Sequence, residues 1–366
     1  MPSFTQSPNV PHANSAGQTL PRKIAVVEGE GIGPEVIAAT LEVLGSVNRV
    51  FGSEIALVHS ANLVAKDEFG LTIDPAIAKF YEAAFIEGVP VLHGPAGGRY
   101  VYDLRAKYDL AVKLTPVKPM AELADASVVR PERLTGVDVL IVRDNSAGLY
   151  QGNFGWHDQD TAFHEATYTR NQTERVLTSA IEAAQNRNGR LAVVTKPGGI
   201  PAISALWKQS AQKLAPNNLE VEFIEIDNAC FQLVSDPKRF DVVATPNMFG
   251  DVVGDTATLV LGSRGVSYSA NFGPNGRAVY QTAHGAAHDL AGQNVANPIA
   301  QILTAAWLLR ESLGLKAEAA AIQTAVRETV AAGLRTKDIA AANSIILSTS
   351  ELAAEISSRI RKVQNG

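Results

Sequence analysis

The 366-residue chain has a single cysteine, Cys230, so it cannot form an internal disulfide. That fits a reducing compartment, and the mixed apolar residues around Cys230 favour packing over nucleophilic work. No apolar run is long enough to span a bilayer, so no membrane partner is expected. Positive charge is in deficit: 32 Lys and Arg stand against 37 Asp and Glu. This argues against a nucleic-acid surface, although a local basic pocket can still take an acidic substrate. Lys and Arg are absent before Arg22, where the sequence is polar and rich in Ser, Asn, Pro and Gln. It therefore lacks the charged start and apolar core of a secretion signal, and also the Arg-rich face of a transit peptide. Residues 1–22 read as a disordered tail and the cytoplasm as the default location. There is no internal repeat.

What is present is a chain 46% hydrophobic and 19% charged, enough to build two packed lobes. Apolar strands and helices alternate from Lys23 onward, as in an α/β protein. The most informative stretch runs from Phe240 to Gly265. Asp241 to Ala244 is a short apolar strand, Thr245-Pro246-Asn247 breaks it, and Gly250 precedes an apolar helix ending near Gly262. Asp251 and Asp255 then stand four apart on one helical face. Two carboxylates so placed repel unless a cation lies between them. They either complement the positive end of the helix or hold a hard divalent ion such as Mg²⁺ or Mn²⁺. A third acid, Asp227, follows the apolar run Val221 to Ile226, at the carboxyl end of a strand, where ligands gather in open α/β sheets.

Ile226-Asp227-Asn228-Ala229 and Thr245-Pro246-Asn247-Met248-Phe249-Gly250-Asp251-Val-Val-Gly-Asp255 resemble the β-decarboxylating dehydrogenases, the isocitrate and 3-isopropylmalate dehydrogenase family. The resemblance implies a two-lobe α/β fold. Residues 23–109 and 264–366 form a large cofactor-binding lobe, and residues 110–263 a smaller one bearing a dimer arm. It also implies Mg²⁺ or Mn²⁺ on Asp227, Asp251 and Asp255, the first donated by the other subunit of a homodimer whose active site is shared.

Leu104-Arg105 and Asp109-Leu110 match the family's segment Leu-Arg-x-x-x-Asp-Leu-x-x-x-x-Arg-Pro, but Thr115 stands where a second arginine is usual. A guanidinium grips a carboxylate with two parallel hydrogen bonds, whereas threonine offers one neutral hydroxyl. If Ala111 to Thr115 is a strand, Lys113 shares a face with Thr115 and either replaces the lost charge or is solvated. Arg143 and Tyr150 match a substrate arginine and a catalytic tyrosine, and Arg99 to Asp103, Val101 included, matches the segment that selects the substrate side chain. Lys196 ends an apolar strand, where desolvation and a metal would lower its pKa for proton abstraction; the alternative is a lysine snorkelling to the surface. In the family this lysine is donated across the dimer interface.

Tyr280-Gln281-Thr282-Ala283-His284-Gly285 and Asp289 resemble the cofactor loop, with Gln281 for Glu and His288 for Pro. His284, Gly285, Asp289 and Asn297 are the implied NAD contacts. A carboxylate at Asp289 suits ribose hydroxyls and would repel a 2′-phosphate, so NAD is expected over NADP. Arg264, where an apolar residue is usual, is either a solvated loop charge or a second surrogate for the missing guanidinium. The expected reaction is oxidation of a 2-hydroxy-3-carboxy acid followed by decarboxylation. The alternatives are oxidation without decarboxylation, a substrate with another acid such as a phosphonate, or a regulatory subunit.

Overall fold

The structure, a computed structural model, describes residues 22–60, 65–67 and 70–361. Apart from Arg22, the expected tail lies outside them. The main sheet has ten strands. In chain order they are β1 Lys23–Val27, β2 Ala56–His59, β3 Val91–His93, β4 Val112–Val117, β5 Val139–Asp144, β6 Arg190–Thr195, β7 Glu220–Glu225, β8 Val242–Thr245, β9 Tyr268–Phe272 and β10 Ala278–Thr282. The helices of ten or more residues are α1 Gly33–Phe51, α2 Pro75–Ile86, α3 Gly98–Lys107, α4 Arg170–Gln185, α5 Pro201–Leu214, α6 Ile226–Ser235, α7 Asn247–Leu261, α8 Ile299–Glu311, α9 Lys316–Ala331 and α10 Thr349–Ser358.

Across the sheet the order is β7-β6-β8-β5-β4-β9-β10-β3-β1-β2. Most neighbours are parallel, but β4 runs antiparallel to both β5 and β9, and β9 to β10. Strands β7, β6, β8 and β5 thus run one way and β10, β3, β1 and β2 the other, with β4 and β9 alternating between the two blocks, and such a junction opens a crevice between connecting loops. Strands from residues 139–245 lie on one side of β4, and those from residues 23–93 and 268–282 on the other. Parallel strands covered on both faces read as unbroken apolar runs, and Lys23-Ile-Ala-Val-Val27 and Val139-Leu-Ile-Val142 are of this kind.

Local signals start and stop the helices. Pro34 sits in the first turn of α1, and Gly52 closes it in the left-handed region at φ 68°. The Asp74 side chain accepts from the Ala76 N–H at 2.7 Å to cap α2, and Thr169 with Gln172 forms a capping box on α4. Helix α8 is buried at every position from Ile299 to Leu309, and α1 and α9 pack around it. On the far side of the molecule Trp207 of α5 is completely buried among residues of α4 and β6.

One element differs from the reading of the sequence. Helix α7 begins at Asn247, three residues before Gly250, because Pro246 ends β8 and is itself compatible with the position just before a helix.

Candidate active site

The site lies at the crevice beside β4. There the antiparallel register sets Lys113 of β4 opposite Arg143 of β5, and α7 runs past their side chains. Arg143 is almost wholly buried. Its Nε and Nη2 donate to Asn247 Oδ1 at 3.2 and 2.9 Å, and its Nη1 donates to Asp251 Oδ1. A Cβ at Gly250 would lie 2.6 Å from Arg143 Cγ and 2.2 Å from Thr245 Oγ1, so only glycine leaves room for the arginine stem. Asn247, which fixes the guanidinium, escaped the sequence reading because it follows Pro246 and reads there as a turn residue.

Asp251 also accepts a hydrogen bond from Tyr150 Oη at 3.1 Å. Burial and the adjacent Asp251 charge push the Tyr150 phenol up to about 12, so it keeps its proton at neutral pH. One turn further along α7, Asp255 is exposed and ion-paired to Arg264 at 2.8 Å. Arg264 is thus the counter-charge of a candidate metal ligand.

Two cations at the site have no such partner. Arg105 and Lys113 are each 7% exposed, and neither side chain makes a hydrogen bond or ion pair among the described residues. Burial, reinforced by Arg143, lowers Arg105 to about 10. Lys113 is held well below the ordinary lysine value by burial first and then by repulsion from Arg105 and Arg143, with Asp251 and Asp255 opposing. Lys113 is therefore inside the site, where β4 also buries Thr115 two residues on.

Helix α3 supplies one face of the crevice. Arg105 stacks on the ring of Tyr102, 5.5 Å from its centroid, and that ring lies 5.1 Å from the ring of Tyr150. Tyr100 points the other way. It is buried, its hydroxyl 2.7 Å from that of Tyr81 and 3.2 Å from His93 Nε2. Val101 packs against the same Tyr81 cluster. His93, lowered to about 4 by burial, and Gln281 complete this network, both close to the Gly94 carbonyl.

Lys196 and Asp227 lie elsewhere. Lys196 follows β6 and donates to Glu225 Oε2 at 2.7 Å and Asp227 Oδ1 at 2.9 Å; Asp227 is in the first turn of α6. Within one copy the two carboxylates, Glu225 first, raise the Lys196 pKa, and the side chain is paired at the surface. No hydrogen bond or ion pair joins Lys196 or Asp227 to Arg105, Lys113, Arg143, Tyr150, Asp251 or Asp255. Among the described residues no three acidic, histidine or cysteine side chains converge. Asp251 and Asp255 alone offer the hard oxygen donors that suit Mg²⁺ or Mn²⁺, as an incomplete set open to a further carboxylate.

The cofactor-loop residues follow β10. Gly31, at φ 59°, lies so close to this loop that a Cβ would meet the Ala286 carbonyl at 2.0 Å, and the Ile32 N–H donates to that carbonyl at 2.8 Å. His284 is half-buried, its pKa lowered by burial, and its Nδ1 lies 3.0 Å from the Gly285 carbonyl. No atom lies within 4 Å of where a Gly285 Cβ would be. Asp289 is exposed, with no hydrogen bond to its carboxylate among the described residues. Asn297 is buried, donating to Asp338 Oδ2 at 3.1 Å and accepting from the Ile299 N–H at 3.0 Å. Glu30, in the loop between β1 and α1, accepts from the Gly97 N–H at 2.5 Å and lies 3.8 Å from His288 Nε2. It thus ties the opening loop to both the α3 loop and the cofactor loop.

Two opposed blocks of strands meeting at β4 and β9, with acidic and basic side chains converging on the crevice, define a two-sided α/β enzyme site. The family model for isocitrate/isopropylmalate dehydrogenase matches residues 23–356, and the chain belongs to that family. It is 36% identical over 341 residues to a 3-isopropylmalate dehydrogenase of Bacillus licheniformis, covering 88% of this chain and 91% of the relative. A 3-isopropylmalate dehydrogenase of Hahella chejuensis is 35% identical, covering 92% and 98%. The solved isocitrate dehydrogenase of Methylococcus capsulatus superposes with a TM-score of 0.81 at 27% identity, covering 93% of this chain and all of that one. The fold is that of this family, and the chain is a dehydrogenase of the class that acts on hydroxy acids. No helix among the described residues is long and apolar enough to cross a membrane.

Proposed function

We propose that the chain catalyses NAD- and divalent-metal-dependent oxidation of a 2-hydroxy acid bearing a 3-carboxylate, followed by decarboxylation, in a site completed by a second copy. The observation that carries this reading is the pair of buried cations, Arg105 and Lys113, left without an acceptor beside the Arg143–Asp251 ion pair. Charges buried in this way are costly unless matched, and a dianionic substrate matches them. Arg105, Arg143 and Lys113 bind and orient the carboxylates. Lys113 takes the part of the guanidinium absent at Thr115.

Lys196 of the second copy accepts the hydroxyl proton. Tyr150, which holds its proton at neutral pH, returns one to carbon after carbon dioxide leaves. Bound NAD would supply the hydride acceptor, and a divalent ion, which Asp251, Asp255 and Asp227 of the second copy would hold, would supply Lewis-acid stabilisation. His284, Gly285, Asp289 and Asn297 are the residues available to the cofactor. A second copy is supported by exposed apolar side chains on the adjoining helices, Phe231 of α6 with Val252 and Leu259 of α7. Trp156, on the two-stranded ribbon Phe154–Trp156 and Ala162–His164, is exposed too.

Replacing Lys113 with Ala tests the charge-matching. The Michaelis constant for the acid is expected to rise strongly with the fold intact. An unchanged constant would remove Lys113 from the substrate site.

A further inference from the structure

We infer that Tyr102 restricts the substrate to acids whose third carbon carries a compact substituent, hydrogen or hydroxyl, and excludes a branched alkyl group. The inference rests on the proposed reaction and names its substrate class. Tyr102 lies three residues before Arg105, on the same face of α3. Its half-buried ring is packed against three groups. The guanidinium carbons of Arg99 and Arg105 each lie 5.5 Å from its centroid, and the Tyr150 ring lies 5.1 Å away at 59°.

Those contacts hold the ring in place. Arg99 is itself fixed by Asp103 at 3.1 Å and by the Tyr150 carbonyl at 3.3 Å, while Gln151 Nε2 donates to the Tyr102 carbonyl at 3.1 Å. An acid bound by Arg105 with its carbon skeleton within reach of the Tyr150 hydroxyl must lie beside Tyr102. With guanidinium groups and a second ring packed about it, Tyr102 leaves only its edge and hydroxyl for the substrate. A phenol edge accepts hydrogen or a hydroxyl and has no apolar hollow for a branched group. Neighbouring side chains do not provide one: Val101 packs into the Tyr81 cluster and Tyr100 is hydrogen-bonded within it.

The test compares kcat/KM for malate, tartrate and 3-isopropylmalate, with NAD and Mn²⁺, in the full chain and in Tyr102→Ala and Tyr102→Phe. The wild type is expected to favour malate or tartrate over 3-isopropylmalate by about 10-fold or more. Tyr102→Ala should shift that ratio toward 3-isopropylmalate by a similar factor, while Tyr102→Phe, which keeps the ring, should retain the size discrimination. A wild type that prefers 3-isopropylmalate overturns the inference but leaves the reaction standing, and so does a folded Tyr102→Ala with an unchanged ratio. A wild type inert toward every acid refutes the reaction and the inference together. If Tyr102→Ala does not fold, the wild-type ranking and Tyr102→Phe still decide.

Discussion

Lys113 shows how a single side chain sets the character of the site. Its depressed pKa means that it loses its charge at a lower pH than an ordinary lysine. Substrate attraction is therefore present below that pKa and lost as pH rises through it, so KM should climb on the alkaline side earlier than free lysine would dictate. In Lys113→Ala that early limb should vanish; its persistence would assign the titration to another group. Tyr150→Phe should leave substrate affinity nearly intact while lowering kcat by roughly 100-fold or more, the usual scale for a lost proton donor. The sequence alone showed that Lys113 and Thr115 would share a strand face. It could not show that the lysine is buried, because lysine is ordinarily solvated and the neighbours that cover it, Arg143 of β5 and helix α7, are distant in the chain. Tyr102 was hidden for a similar reason: which of three consecutive residues on α3 faces the crevice depends on the rotation of the helix against Tyr81 and His93.

At the scale of elements, the segment from β8 to α7 joins fold to chemistry. Its acid pair was legible because a helix brings residues four apart onto one face, and the observed helix keeps Asp251 and Asp255 there. Less legible was Gly250, whose missing side chain makes room for Arg143. Gly250→Ala should displace that arginine and cost about 1–3 kcal/mol of stability by overpacking, with a larger proportional loss in substrate affinity. Denaturant unfolding together with KM would check both parts. The entry to β8 is pinned by another arginine. Arg187 Nε donates to the fully buried Asp241 at 2.7 Å, and its Nη2 to Asp138 Oδ1 at 2.7 Å. Arg187→Ala leaves the Asp241 charge buried without its arginine and should destabilise the fold by about 3–5 kcal/mol, measured by the same unfolding experiment.

For the whole molecule, the alternation of strands and helices announced an α/β sheet, while the reversal across β4 and β9 depended on strand pairing that no local pattern encodes. The separation of Lys196 and Asp227 from the other site residues makes the assembly essential to the proposed chemistry. Mixing and reassembling inactive Lys196→Ala and Asp251→Asn chains should regenerate activity, because one site of a mixed pair receives Asp251 from one copy and Lys196 from the other. Random pairing sets the recovery at about a quarter of wild type. No recovery, with mixed pairs demonstrated, would place a complete site in each chain.

The most direct test of the proposed reaction is to follow NADH formation and carbon dioxide release in parallel, with the purified chain, Mn²⁺ and 2-hydroxy-3-carboxy acids, beside Asp251→Asn. Equal amounts of NADH and carbon dioxide are expected from the wild type, with neither from the folded variant. NADH without carbon dioxide, or full activity in Asp251→Asn, would contradict the metal-dependent oxidative decarboxylation proposed for this site.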